Sequence, residues 1–155
     1  MPAGRREFMR LSGVFAALAA IGLLTEEEAR AQQLAWNKAA FETKNLPDTV
    51  KALGGSGVAE SKDIGLTLPD IAENGAVVPV GVASRIPGTQ IIYILVEKNP
   101  NTLAAGFTLP QGTEPNVSTR IKMAQTSNVM AIVKANNQFF VTSKEVKVTL
   151  GGCGG

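Results

Sequence analysis

The only thiol in the chain, Cys153, stands between two glycine pairs in the run Gly151-Gly152-Cys153-Gly154-Gly155. Glycine has no Cβ, so nothing beside the sulfur hinders its entry into a narrow cleft, and the flanking backbone has the widest conformational freedom. The run predicts a mobile arm over 151–155, following a strand that ends at Leu150. At about 3.3–3.6 Å per residue, Cys153 stands about 10 Å beyond that strand. No His, Arg or Lys lies within five residues of the sulfur. No local charge therefore pulls its ionisation below the ordinary thiol value of about 8.5, and only a few per cent is thiolate near neutrality. Such a thiol suits a covalent carrier that reacts only inside another protein's site.

The remaining inventory excludes most other chemistry. Among 155 residues there is no His and one Cys, with 15 Lys+Arg against 13 Asp+Glu. A Ser-His-Asp triad, a Cys-His pair and a His-ligated zinc are impossible without His. One Cys forbids an internal disulfide or a CxxC redox pair. A net charge of +2, with no basic cluster beyond the N-terminus, gives no nucleic-acid footprint. No metal and no cofactor of the chain's own is expected. Three other readings of Cys153 stay open. It is incidental to a disordered tail, it cross-links a structural β-sandwich to a partner chain, or it is the nucleophile of a thiol enzyme. Free cysteines are usually buried, which argues against the first. A glycine tail supplies neither the lowered pKa nor the fixed pocket that the third needs.

An apolar content of 45% with 18% charged residues fits one globular domain with a leader. The leader is assigned to 1–31. Arg5-Arg6-Glu7-Phe8-Met9-Arg10 precedes an apolar run at 14–24 that is too short to span a bilayer, and Ala29-Arg30-Ala31 offers a cleavage site. The Arg5-Arg6 pair resembles a twin-arginine export signal, which implies a periplasmic protein. The alternative is an amphipathic helix of a cytoplasmic protein. Removing the leader takes away four basic and four acidic residues and leaves the net charge at +2.

Residues 32–57 read as a helical segment and linker. Leu34, Trp36, Ala39, Ala40 and Phe41 can share one helical face, and Pro47 opens a second short turn ending near Leu53. Gly54-Gly55-Ser56-Gly57 reads as a flexible connector. Residues 58–150 read as strands. Ile64-Leu66-Leu68 alternates, followed by segments at 77–84 and 90–98 split by Pro87-Gly88. The run 91–96 is apolar on both faces and predicts a central strand. Val117, Thr119, Ile121 and Met123 mark a half-buried strand. A segment at 128–134 turns at Asn136-Asn137 into Phe139-Phe140-Val141, and the last strand alternates Val146, Val148 and Leu150. Seven or so short strands with regular turn signals predict a mainly β fold, an immunoglobulin-like antiparallel β-sandwich.

The run Val146-Lys147-Val148-Thr149-Leu150-Gly151-Gly152-Cys153-Gly154-Gly155 resembles the C-terminus of the SoxY family, the sulfur carriers of the bacterial thiosulfate-oxidising Sox system. The likeness continues through Ser118-Thr119-Arg120-Ile121-Lys122-Met123-Ala124, Glu97-Lys98-Asn99-Pro100 and Glu73-Asn74-Gly75-Ala76-Val77-Val78-Pro79-Val80, and the leader matches. Leu150 and details of the leader depart from the common pattern. The resemblance implies a carrier and not an enzyme, with Cys153 as the covalent attachment point and Gly151, Gly152, Gly154 and Gly155 as the arm. It implies a heterodimer with the SoxZ subunit. It further implies loading by the c-type haem protein SoxAX, sulfate release by the dimetal hydrolase SoxB and, in some systems, oxidation by the sulfane dehydrogenase SoxCD.

Overall fold

The computed structural model describes residues 37–150. The leader with Arg5 and Arg6, the helical positions Leu34 and Trp36, and the arm 151–155 with Cys153 lie outside the described residues. Two short helices, α1 (Lys38–Phe41) and α2 (Leu46–Ala52), come first. Nine strands follow: β1 (Ala59–Glu60), β2 (Ile64–Thr67), β3 (Ile71–Ala72), β4 (Val78–Ser84) and β5 (Thr89–Val96), then β6 (Leu103–Thr108), β7 (Asn116–Ile121), β8 (Ser127–Ala135) and β9 (Gln138–Val148).

Local signals start and stop α2. The Asn45 side chain accepts from the Asp48 amide at 2.9 Å, Pro47 sits in the first turn, and Asp48 complements the helix dipole there. At the other end Gly54 takes φ +86° and its amide donates to the Lys51 carbonyl, while the Gly55 amide donates to Val50. This pair of bonds is the Schellman C-cap, which requires a residue in the left-handed region. Gly55 is packed, not merely connecting: a Cβ there would lie 2.7 Å from Val50 Cγ1 and 2.8 Å from the Phe139 ring. The stretch 54–57 expected as a flexible connector therefore begins as a fixed helix stop.

The strands form two sheets. The larger runs β1-β9-β8-β5-β6, with β3 also on β9, and the smaller runs β2-β4-β7. The ladders β5–β6, β5–β8, β8–β9, β2–β4 and β4–β7 are antiparallel, as expected of the sandwich. Alternation fixes what each face buries. Val78, Val80 and Val82 of β4 face Ile92, Ile94 and Val96 of β5 and Val129, Ala131 and Val133 of β8 across the sandwich core. The opposite face of the larger sheet is covered as well. Leu95, Met130, Ile132, Phe139 and Val141 pack with Ala40 and Val50 of the two helices in a second core. This is why 91–96 is apolar on both faces, and β5 is the internal strand expected, bonded to β6 and β8.

Several expectations need correction. The segments read at 139–141 and 146–150 are one strand, β9, because the polar stretch between them still pairs with β8 from Gln138 to Val146. Leu150 lies past its end and is exposed. Ala39 points to solvent, and Ala40 is the buried member of the pair. Three strands, β1, β3 and β6, have no counterpart among the expected segments. The first and second have two residues each and pair parallel with β9, so no hairpin signal marks them. In β6 a bulge opposite Ile94 and Leu95 breaks the alternation, so that Leu103 faces the helices while Ala105 and Phe107 face the sandwich core. The turn at Asn136-Asn137 is as expected, with φ of 49° and 62° at its centre.

One ion pair ties β9 between its pairings with β1 and β3. Lys144 Nζ contacts Asp70 Oδ1 at 2.9 Å and donates to the Leu68 carbonyl at 3.0 Å. The hydrogen bond from Lys144, and secondarily its charge, hold the Asp70 carboxyl below the ordinary carboxylate value. A lowered folded-state value means that the pair stabilises the fold above the ordinary carboxylate range. That contribution fades as pH falls through the lowered value. Replacing Lys144 by Met should return the Asp70 titration, followed by side-chain carboxyl NMR, upward to the ordinary range. An unchanged titration would contradict the assignment. For Gly55→Ala, the usual unfolded-state gain of about 0.4–1 kcal/mol is smaller than the overpacking cost of about 1–3 kcal/mol. Urea unfolding should therefore show net destabilisation, and a neutral or stabilising result would refute the close packing on Phe139.

Candidate functional site at the end of β9

The described residues define the point from which Cys153 departs, and backbone hydrogen bonds hold that point. Near its end β9 is paired on both sides. Ser127 of β8 stands opposite Val146, and on the other edge Ile71 and Ala72 of β3 stand opposite Lys147 and Val148. The Lys147 amide donates to the Asp70 carbonyl at 3.0 Å, and the Val148 amide donates to Thr126 Oγ1 at 2.9 Å. The ties continue past the strand. The Thr149 amide donates to the Ala72 carbonyl at 3.1 Å, and its hydroxyl donates to the Glu73 carbonyl at 3.2 Å. Leu150 accepts from the Gly75 amide at 2.8 Å.

The segment that receives these bonds is itself anchored. Gly75 accepts from the amide of Met123, which is fully buried, at 2.7 Å. Asn74 accepts from the Ala76 amide through its side chain at 2.9 Å, closing a local turn. Asn99 grips the neighbouring chain, donating to the Lys122 carbonyl and accepting from the Ala124 amide. The last described residue is thus bonded into the sheet, and three residues of chain place the Cys153 Cα no more than about 11 Å from that of Leu150.

Little else in the described residues offers chemistry. No group of three or more His, Cys, Asp or Glu residues there is arranged to hold a metal ion. No helix among them is long and apolar enough to cross a membrane. Two shallow surface depressions flank β1, one lined by Glu60, Lys62 and Ser143 and the other by Ser56, Asn137 and Phe140. The first holds Ser61 and Ser143 together with Lys62, but no hydrogen bond joins the Lys62 ammonium to either hydroxyl. Of the residues assigned from sequence, Cys153, Gly151, Gly152, Gly154, Gly155, Arg5 and Arg6 all lie outside the described residues. Sequence reasoning missed the strap at 70–75. The only hint of it was the turn-forming pair Asn74-Gly75.

Comparison with known proteins adds to this geometry. The family model described as "Sulfur oxidation protein SoxY" matches residues 50–153, a match that runs through the strap, all of β9 and on to the cysteine. Among solved structures, the sulfur carrier protein SoxY from Chlorobium limicola f thiosulfatophilum is 39% identical, with a TM-score of 0.59 over 65% of this chain and 92% of that one. A superoxide reductase (neelaredoxin) from Ignicoccus hospitalis is 20% identical, with a TM-score of 0.46 over 55% of this chain and 79% of that one. No curated protein matches the chain. With the family match covering well over half of its residues, the chain belongs to the SoxY family of sulfur oxidation proteins.

Proposed function

We propose that this protein is the sulfur carrier of a thiosulfate-oxidising system, holding reaction intermediates covalently on Cys153 and presenting them to partner enzymes. The observation that carries the reading is the family match over residues 50–153, which extends through the anchored end of β9 to the chain's one cysteine. In the loading step the Cys153 thiol loses its proton and bonds to the outer sulfur of thiosulfate. Two electrons leave to the haem protein SoxAX, and the product is a cysteine S-thiosulfonate. Water then cleaves the sulfur–sulfonate bond in SoxB, releasing sulfate and leaving a persulfide on the arm. Where SoxCD is present, it oxidises that remaining sulfur.

In this reading the chain contributes the thiol, its position and its access. With no basic residue within five positions of Cys153, activation falls to the partners' sites, which prevents the carrier from reacting in solution. The SoxZ subunit completes the carrier as a heterodimer, and the Arg5-Arg6 leader directs export to the periplasm. The anchored root supports this division of labour. A thiol tethered about 11 Å from a hydrogen-bonded point searches a small volume, which favours delivery into a nearby cleft.

Two measurements test the proposal. Cys153→Ser should change unfolding stability by less than about 0.5 kcal/mol, as expected of a small polar replacement at a glycine-flanked position past β9 in the sequence. It should also abolish the mass increase seen by intact-mass analysis after incubation with thiosulfate and SoxAX. Adducts that persist on the Ser variant would overturn the assignment. Alkylation of Cys153 in the isolated protein should accelerate with pH through the ordinary thiol range near about 8.5. A midpoint near pH 5 or 6 would show local activation and contradict the partner-supplied mechanism.

A further inference from the structure

β6 ends the larger sheet, and among the described residues no strand pairs with its outer side. The register fixes which backbone groups that side presents. In the β5–β6 ladder Ile92 stands opposite Phe107 and Ile91 opposite Thr108, and one step on the Leu109 amide donates to the Gln90 carbonyl at 2.8 Å. Opposed residues of an antiparallel pair alternate between bonded and non-bonded. Leu109 and Phe107 therefore turn their amides and carbonyls toward β5. Gly106 and Thr108 turn theirs outward, and both residues are exposed.

Such an edge is a template for another strand, and proteins blunt it with lysine, proline or a covering segment. The other side of this sheet is treated that way, since β1 and β3 lie along β9 with the Lys144–Asp70 pair between them. β6 has no such protection. It contains neither charge nor proline, and no charged residue occurs between Lys98 and Glu114. Those two flanking side chains are exposed and form no ion pair among the described residues. On the face toward the sandwich core, Ala105, Phe107 and Leu109 are only half-buried.

We propose that β6 pairs antiparallel with β6 of a second copy of this chain, continuing the larger sheet across a two-fold axis at Phe107. The strand is complementary to itself in that register. Gly106 of each copy stands opposite Thr108 of the other, and the two exchange their outward amides and carbonyls. On the core face Phe107 meets its own counterpart in a non-bonded pair, where side chains approach most closely. Ala105 lies opposite Leu109, small against large, so the half-buried seam of one core runs on into the other. Charge selects the same occupant. Antiparallel pairing brings the Lys98 flank of each copy toward the Glu114 flank of the other, with nothing charged between them. The anchored end of β9 stays open in this assembly, because β8 and β5 intervene and strands spaced about 4.8 Å apart put β9 about 14 Å from β6.

The test uses the full chain, with Cys153 kept reduced so that no disulfide joins two copies. Sedimentation equilibrium should show a reversible dimer. Thr108→Lys, a change at an exposed position that places a lysine on the edge, should raise the dimer dissociation constant by about tenfold or more. In the unaltered protein the Gly106 and Thr108 amides should exchange with deuterium faster on dilution, while the Phe107 amide, bonded to β5, stays protected. A chain that is monomeric at every concentration overturns the inference, as does a variant that dimerises as tightly as the unaltered chain. Loss of SoxZ binding in the variant overturns it too, since the edge would then belong to a different subunit. Should Thr108→Lys fail to fold, the exchange pattern decides alone: Gly106 and Thr108 amides that exchange equally fast at all concentrations rule the pairing out.

Discussion

Hydrogen bonds to both edges of β9 at Lys147 and Val148, continued by Thr149 and Leu150, set the position from which the glycine run departs. A strand at the edge of a sheet would end in unpaired amides and fray. Here β3 is laid along that edge, and the 73–75 segment extends the pairing beyond the strand. Each such backbone bond is worth only about 0.5–1.5 kcal/mol net, yet together they keep the departure point in register with the core. The rest of the fold serves this arrangement. Two glycines follow Leu150 and bring no side chain to fix a direction, so the described ties before them set where the run begins.

The larger sheet is stable enough to hold that end because both of its faces are buried. Against one face lies the smaller sheet, with the valines of β4 filling the gap. Against the other lie two helices, too short to be stable in isolation, which persist because they cover Leu95, Ile132 and Phe139. Gly55 sits where α2 must stop and the chain must pass close to Phe139, so a backbone signal and a packing requirement coincide at one residue. Lys144, meanwhile, ties the middle of β9 to Leu68 and Asp70 through contacts whose Coulombic part is modest at an exposed site.

Much of this was legible in the sequence. Period-two alternation named β2 and β7, turn signals bounded β4 and β8, two-sided apolarity named β5 as internal, and Asn136-Asn137 named the hairpin, because each signal is local. The cysteine between glycines is legible for the same reason: what it can do depends on its neighbours in the chain. The tertiary structure decided what non-local pairing controls. Two-residue strands carry no pattern of their own, so β1 and β3 exist only because β9 offers them an edge. The bulge in β6 moves Leu103 to the helix side, and the polar middle of β9 stays extended because β8 pairs with it. The sequence by itself supplied the thiol and the freedom around it. Only the fold, by closing hydrogen bonds between residues more than seventy positions apart at Thr149 and Glu73, determined the point from which the glycine run departs.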